Sequence, residues 1–229
     1  MFRRNKNLLG ILAICIGLIF QGCSKDDDSL SNLESTHDFS GLAAFNAIEG
    51  PDNLQFFVDG KLINKTNEDF SIGGYLNHRT VFPGNRKLEL KNLDNQVFFS
   101  ADKKFESTKI YTYFFFGKNN QPVVTEDDMI KPDAGLMRVR IINLVTDSKL
   151  KLDFDYLSTK YTSNFDNRVF GSNEFSSKVN FKFRVSSPDK KYESIEIPLD
   201  GKDRSVYSIV IYSSQEDEGR VLKYRKLEM

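Results

Sequence analysis

The sequence has few of the residues that form disulfides, bind metals or carry out catalysis. Its 229 residues include two cysteines, two histidines and no tryptophan. Two cysteines allow at most one disulfide and no cysteine-rich metal site. The formal charge is balanced, with 32 basic and 32 acidic residues, so the chain lacks the basic excess that suits nucleic acid. These shortages argue against a disulfide-stapled domain, a zinc-finger-type protein and a nucleic-acid partner.

The N-terminal region has the pattern of a secretory signal. Arg3, Arg4 and Lys6 precede a largely apolar run at residues 8–20. As a helix this run would span roughly 20 Å, which is less than the roughly 30 Å hydrocarbon core of a bilayer. A positive start followed by a short apolar run therefore predicts a signal peptide over residues 1–22 and not a membrane span.

A single cysteine stands where this signal ends. The segment FQGC, residues 20–23, resembles a bacterial lipobox. The resemblance implies that Cys23 receives a diacylglyceryl group, that the signal is cleaved before it, and that the new amine is acylated. Several acyl chains on one residue anchor a protein stably, whereas one chain holds it only marginally. An incidental cysteine is the alternative. Cys15 would leave with the signal, so no disulfide is expected.

The residues after the cysteine are polar and acidic. With the sequence SKDDD, the first five resemble the lipoprotein export signal of Bacteroidota, which implies display on the outer face of the outer membrane. They are Ser24, Lys25, Asp26, Asp27 and Asp28. A plain solvated linker is the alternative. Residues 23–40 are rich in Ser and Asp and lack periodicity, which predicts an acidic flexible tether. Loss of residues 1–22 would leave a net charge of about −3.

After Gly41 the sequence alternates apolar and polar residues in short runs. The segments RKLELK (86–91) and KVNFKFRV (178–185) place apolar side chains on one face and charges on the other. Alternation with period two predicts strands with one buried and one wet face, and no window sustains a helical period. Asp59 and Gly60, inside LQFFVDGKLI, predict a tight hairpin. The chain is therefore predicted to be all-β.

The two halves of this β region repeat each other. Asn46 closes the first strand of one half and Asn143 that of the other, 97 residues later, and three further pairs of segments keep a similar offset. The offset predicts two tandem modules of roughly 95 residues, the size of an immunoglobulin-like β-sandwich. We expect them over residues 41–120 and 135–229, after the signal peptide and the tether, with residues 118–135 as the join.

The order of these motifs resembles the DUF4397 family, a domain of unknown function. The shared features are a first strand ending in Asn46, a strand running into VDG (58–60), a strand opened by Pro83 and Gly84, and a Tyr-rich strand, all in tandem. The resemblance covers about residues 41–215. It implies a Bacteroidota surface lipoprotein with two β-sandwich modules. The family has no agreed catalytic residues, so none is transferred.

Motifs that would indicate catalysis are missing. No segment matches G-x-S-x-G, H-E-x-x-H or a Gly-rich phosphate loop. His37 lies in the tether, and His78 lies in a predicted loop without a partner nearby in sequence. The acidic clusters at 126–128 and 200–203 could supply oxygen ligands for calcium, but we favour solvated turn charge. No catalytic residue, metal or cofactor is expected.

The most unusual run is YTYFFFG, residues 111–117, because it is apolar on both strand faces. One interpretation places one face in the core and the other against the second module, since such a strand needs cover on both sides. The other interpretation is an exposed aromatic patch in which Tyr111 and Tyr113 bind a glycan or a protein.

Together these patterns predict a lipid-anchored outer-membrane protein that faces the cell exterior and acts as a non-catalytic binding, adhesion or accessory module. The expected partners are the membrane, through the lipid on Cys23, and an unknown extracellular glycan or protein. The alternative function is an extracytoplasmic hydrolase whose acidic residues are gathered by the fold.

Overall fold

The computed structural model describes residues 39–117, 121–164 and 168–229, which form sixteen strands and no helix. The strands of the first half are β1 (Ser40–Ala47), β2 (Gln55–Val58), β3 (Lys61–Leu62), β4 (Tyr75–Val81), β5 (Gly84–Lys91), β6 (Val97–Phe105), β7 (Ile110–Phe116) and β8 (Val123–Glu126). Those of the second half are β9 (Leu136–Asn143), β10 (Lys151–Tyr156), β11 (Thr159–Asn164), β12 (Val169–Ser176), β13 (Phe181–Ser186), β14 (Ile195–Leu199), β15 (Val206–Glu216) and β16 (Gly219–Glu228). The all-β prediction is confirmed.

Each half of the chain builds two four-stranded sheets with the same connectivity. The first half has the orders β4-β1-β7-β8 and β3-β2-β5-β6, and the second has β12-β9-β15-β16 and β11-β10-β13-β14. The first and seventh strands of each half pair in parallel, β1 with β7 and β9 with β15, while the other pairs are antiparallel. The repeat seen in the sequence is therefore a repeat of topology, and the fold is a tandem pair of sandwiches.

Three apolar cores hold these sheets together. One lies inside the first sandwich and one inside the second. A third core joins the outward faces of the sheets that contain β1 and β9, with Phe45 and Phe114 from the first half meeting Ile142 and Val210 from the second. The four sheets therefore form four layers, with the two sheets that contain the parallel pairs on the inside.

The two repeated asparagines make equivalent hydrogen bonds in the two modules. Asn46 is buried, and its Oδ1 accepts a hydrogen bond from the backbone N–H of Ile48 at 2.8 Å. Asn143 is buried in the same way, and its Oδ1 accepts from the N–H of Val145 at 3.0 Å. A short side-chain amide thus satisfies a backbone donor where the chain leaves the sheet.

The segment predicted to be the join, residues 118–135, contains a strand. Strand β8 pairs with β7 over the register from Tyr111↔Glu126 to Phe114↔Val123. Thr125 and Asp127 are buried there. We therefore propose that the first module extends through β8, beyond the boundary expected at residue 120.

The predicted signal peptide and the predicted tether up to residue 38, including Cys23, Ser24 to Asp28 and His37, lie outside the described residues. The tether was predicted to run to residue 40, but Ser40 is buried as the first residue of β1. Within the described residues, no helix has both the length and the apolar character that a bilayer crossing requires.

Candidate functional site

Tyr111 and Tyr113, predicted as an exposed binding patch, lie inside the first sandwich. Their residues are only 6% and 3% exposed. Phe105 makes an edge-to-face contact with Tyr111, with ring centroids 5.5 Å apart. Burial raises the pKa of Tyr113 to about 12. The binding-patch hypothesis is wrong, because these rings are needed to fill the core.

The opposite face of the same strand is covered by the second module. Phe114 and Phe116 belong to the core between the modules, together with Tyr212. The Arg168 guanidinium of the second module lies over the Phe116 ring, 4.8 Å from its centroid. A strand that is apolar on both faces is thus covered on both, as the first interpretation of YTYFFFG required.

His78 has a partner that is distant in sequence. Its Nε2 lies 3.2 Å from Asp127 Oδ2. The hydroxyl of Thr112 donates to the same carboxylate oxygen, and Thr125 Oγ1 donates to Oδ1 at 2.8 Å. Arg140, from the second module, donates from Nη2 to Oδ1 at 2.6 Å. We call these five residues the interface cluster.

The interface cluster is closed to solvent at its centre. The Asp127 side chain is 1% exposed. Burial alone would raise the pKa of Asp127, but the hydrogen bonds and charges of His78, Arg140 and Thr112 outweigh it, so the pKa is lowered. Both carboxylate oxygens are occupied by donors, which leaves Asp127 no free lone pair aimed at a substrate. The arrangement suits a fixed link between modules better than a catalytic dyad.

A different candidate lies on the second module, on the sheet β11-β10-β13-β14. Leu152 on β10 is buried in the core. Period-two alternation therefore directs Asp153 and Asp155 to the opposite face of the sheet, away from the core. The register sets Asp153 opposite Arg184, and Arg184 opposite Glu196. Charges of opposite sign therefore alternate across three neighbouring strands.

An aromatic pair lies on the other face of the same sheet, at its β10–β11 edge. Tyr161 on β11 stacks on Phe154 of β10, with centroids 4.7 Å apart and planes 10° apart. Tyr161 is 43% exposed. Together with Phe181 and the charged face, the pair lines an open cavity of about 490 Å³. We call this cavity the sheet groove.

The charged groups of the sheet groove hold one another in place. Thr162 Oγ1 donates to Asp153 Oδ1 at 2.6 Å, and this bond is the main cause of the lowered pKa of Asp153. Lys182 and Arg184 donate to Glu196 at 2.6 and 2.9 Å and lower its pKa as well. The groove thus presents ionised carboxylates and cations on one face of the sheet, and the exposed Tyr161 ring lies at the edge, on the other face.

The acidic clusters considered for calcium have other partners. Asp128 pairs with Arg138 at 2.6 Å, and Asp200 pairs with Lys226 at 2.8 Å. Asp203 accepts a hydrogen bond from the backbone N–H of Gly135 at 2.6 Å. Across residues 39–117, 121–164 and 168–229, no three His, Cys, Asp or Glu side chains group together as metal ligands would.

The first module and the opening of the second carry a recognisable family pattern. Residues 40–150 match the DUF4397 family model, a domain of unknown function. The predicted resemblance is confirmed over that range, which runs from β1 to the residue before β10. No curated protein sequence matches this chain.

Two solved structures illustrate how distant the structural relatives are. The CBM26-family module of Amy13K from Eubacterium rectale, solved in complex with maltoheptaose, is 8% identical with a TM-score of 0.27, covering 83% of this chain and 97% of that one. The tip fimbrial protein Mfa3 from Porphyromonas gingivalis is 12% identical with a TM-score of 0.25, covering 83% and 99%. Likeness at this level supports no inference about ligand or role.

Proposed function

We propose that this protein is a lipid-anchored cell-surface module that binds an extracellular glycan without catalysis, at the sheet groove of its second module. The observation that carries the proposal is the exposed ring of Tyr161, held by its stack on Phe154 at the edge strand that borders the charged face. A fixed aromatic face at the sheet edge covers the apolar face of a sugar ring, and the charged groups of the adjoining face bond hydroxyls of a ligand that extends around this edge.

The shape of the sheet groove supports an extended ligand. It is an open trough across neighbouring strands and not an enclosed pocket of the kind that buries a small molecule. Because its polar groups come from several strands, they are spread over a length that matches more than one sugar residue. Absence of tryptophan leaves Tyr161 as the exposed aromatic of this surface.

The electrostatics of the sheet groove support binding over hydrolysis. Glycoside hydrolysis needs one carboxyl group whose pKa is raised, so that it acts as an acid beside an ionised partner. Asp153 and Glu196 both have lowered pKa values, because hydroxyl and cationic donors stabilise their charged forms. Because the pKa values of both carboxyl groups are lowered, both groups are ionised, and neither can act as the acid that hydrolysis requires.

The anchor part of the proposal rests on the lipobox-like segment at residues 20–23 and on the export-signal-like segment Ser24 to Asp28, which contains three aspartates. We expect the protein to incorporate labelled fatty acid through Cys23 and to partition into detergent. Cys23→Ser should abolish labelling and leave an unprocessed precursor. Unchanged labelling and membrane retention in Cys23→Ser would show that the lipobox interpretation is wrong.

The binding part is tested by screening the purified mature protein on glycan and protein arrays. For a glycan that binds, we expect Tyr161→Ala to weaken affinity about tenfold, because an aromatic anchor at a binding surface contributes at least that much. Tyr224→Ala is the matched control, since Tyr224 is also an exposed strand tyrosine of the second module but lies outside the groove. Equal effects of the two variants, or binding to proteins alone, would contradict the proposal.

A further inference from the structure

A second surface stands out because it is apolar and exposed. Phe82 is 67% exposed and Ile130 is 74% exposed, and Phe39 and Met129 are also exposed. Large apolar side chains that gather on a surface mark a site that another body covers. We call these four residues the apolar end.

The sheet register brings the four residues to one place. Ser40 pairs with Val81, Gly41 with Ile110, and Tyr111 with Glu126, so β1 and β7 start where β4 and β8 finish. The residues just beyond these positions therefore share one end of the sheet.

Contacts at this end agree with the register. The rings of Phe39 and Phe82 lie 6.0 Å apart, and the N–H of Thr108 donates to the carbonyl of Phe39 at 2.7 Å. A cavity of about 500 Å³ next to them is lined in part by Met129 and Ile130. Thr108 connects the two parts of the apolar end, because it bonds to Phe39 and also lines this cavity.

Two ion pairs lie beside the apolar end. Lys109 bridges to Glu126, and Asp128 bridges to Arg138 at 2.6 Å. Pairing reduces the repulsion that free carboxylates would feel near an anionic surface. The end is therefore compatible with a lipid surface in charge as well as in polarity.

The position at which the chain enters this end indicates what covers it. Residues 24–38 lie between Cys23 and Phe39. A chain of that length reaches at most roughly 50 Å when fully extended. A lipid on Cys23 would hold the start of β1, and so the apolar end, within that distance of the bilayer.

We propose that the apolar end rests in the interfacial layer of the membrane that holds the lipid on Cys23. The inference relies on the anchor of the proposed function and adds a second, non-covalent contact to it. Exposed phenylalanines are typical of surfaces that enter the boundary between headgroups and acyl chains. This contact orients the domain, because a tether alone leaves its rotation free.

The absence of tryptophan makes the test direct. Phe82→Trp places a single indole fluorophore in the apolar end of the lipidated protein, and Leu93→Trp places one in the β5–β6 turn, at the opposite end of β5. Leu93 is 65% exposed, close to the exposure of Phe82, so the two reporters start in comparable solvent. Circular dichroism checks that both variants keep the β fold.

Each variant is reconstituted into vesicles of phosphatidylethanolamine and phosphatidylglycerol, with and without brominated acyl chains. We expect the reporter at position 82 to shift its emission to the blue and to be quenched by bromine, while the reporter at position 93 shows neither change.

The outcomes separate this inference from the anchor. Protein that fails to float with vesicles overturns the anchor and the docking together. Protein that floats with an unquenched reporter at position 82 overturns the docking alone. A reporter shielded in native outer membranes but not in pure vesicles indicates a protein occupant, and that result also overturns the lipid proposal.

Discussion

The two modules share their strand order but close one flank of the sandwich differently. In the first, β3 has two residues and the connection at 63–74 folds back over the core. Phe70 in that connection is fully buried. In the second, β11, the counterpart of β3, is six residues long. In the first module a loop side chain, Phe70, covers this flank of the core. In the second module the chain instead continues as a longer, exposed edge strand, β11.

Backbone contacts hold Phe70 in place. Its N–H donates to Asn53 Oδ1 at 2.9 Å, and its carbonyl accepts from Asn46 Nδ2 at 2.8 Å. The corresponding flank of the second module leaves Phe154 half-buried and Tyr161 exposed. The comparison teaches that a duplicated sandwich keeps its interior pairing while its flank can change from a sealed edge to an open one.

The largest expected effect tests the sealed flank. Phe70→Ala should lower the free energy of unfolding by about 4 kcal/mol, because it removes a fully buried ring and leaves a cavity. Phe181→Ala in the second module should cost about half as much, since Phe181 is already partly exposed. Urea unfolding of both variants measures the difference. Equal losses would mean that the two flanks are closed equally well.

The next effect tests the link between the modules. Asp127→Asn should cost about 3 kcal/mol, because it leaves Arg140 without its buried partner. Asp128→Asn, which breaks an exposed pair with Arg138, should cost less than about 1 kcal/mol. Calorimetry should then show the modules of Asp127→Asn melting in two steps. A single sharp transition would show that the apolar core alone couples them.

The same link should respond to acid. The pKa of Asp127 is lowered from its ordinary value of 3.8, so its contribution to stability is present above about pH 4 and is lost as pH falls through the lowered value. Wild type should therefore lose more stability than Asp127→Asn when the pH falls below 4. Parallel pH profiles for the two proteins would contradict this.

The smallest effect concerns two matching turns. Asp59 and Gly60 have positive φ values of 49° and 74° between β2 and β3, whereas Leu157 and Ser158 hold 49° and 66° between β10 and β11. Left-handed backbone suits Asn and Gly better than Leu and Ser. Replacing Leu157→Asn and Ser158→Gly together should raise the free energy of unfolding by about 1 kcal/mol. No gain would show that Leu157 makes a compensating contact.

Alternating patterns predicted much of this fold. The strands follow from apolar spacing, which records the two faces of a strand locally, and the hairpin follows from the turn residues Asp59 and Gly60. The spacing of residues 111–117 left two interpretations open, and burial on both faces is the one that the structure shows. The interface cluster could not be predicted in this way, because His78, Asp127 and Arg140 belong to separate elements that meet only when two modules pack. The sequence did not indicate Tyr161, because its exposure depends on how the flank of the second module is closed, and that is decided by tertiary packing. A lone aromatic in the polar strand TKYTSN was the available signal.

The parallel pairing of β1 with β7 determines how the domain bears mechanical load. Under the proposed anchor, a ligand pulled away from the cell would draw tension through the start of β1. This strand is hydrogen-bonded on both sides, to β4 over Ser40 to Phe45 and to β7 over Gly41 to Ala47. A pull along its axis loads these bonds in shear, so they must fail together and not one after another. Such a strand acts as a mechanical clamp, and resistance to force is set by its unfolding barrier more than by equilibrium stability.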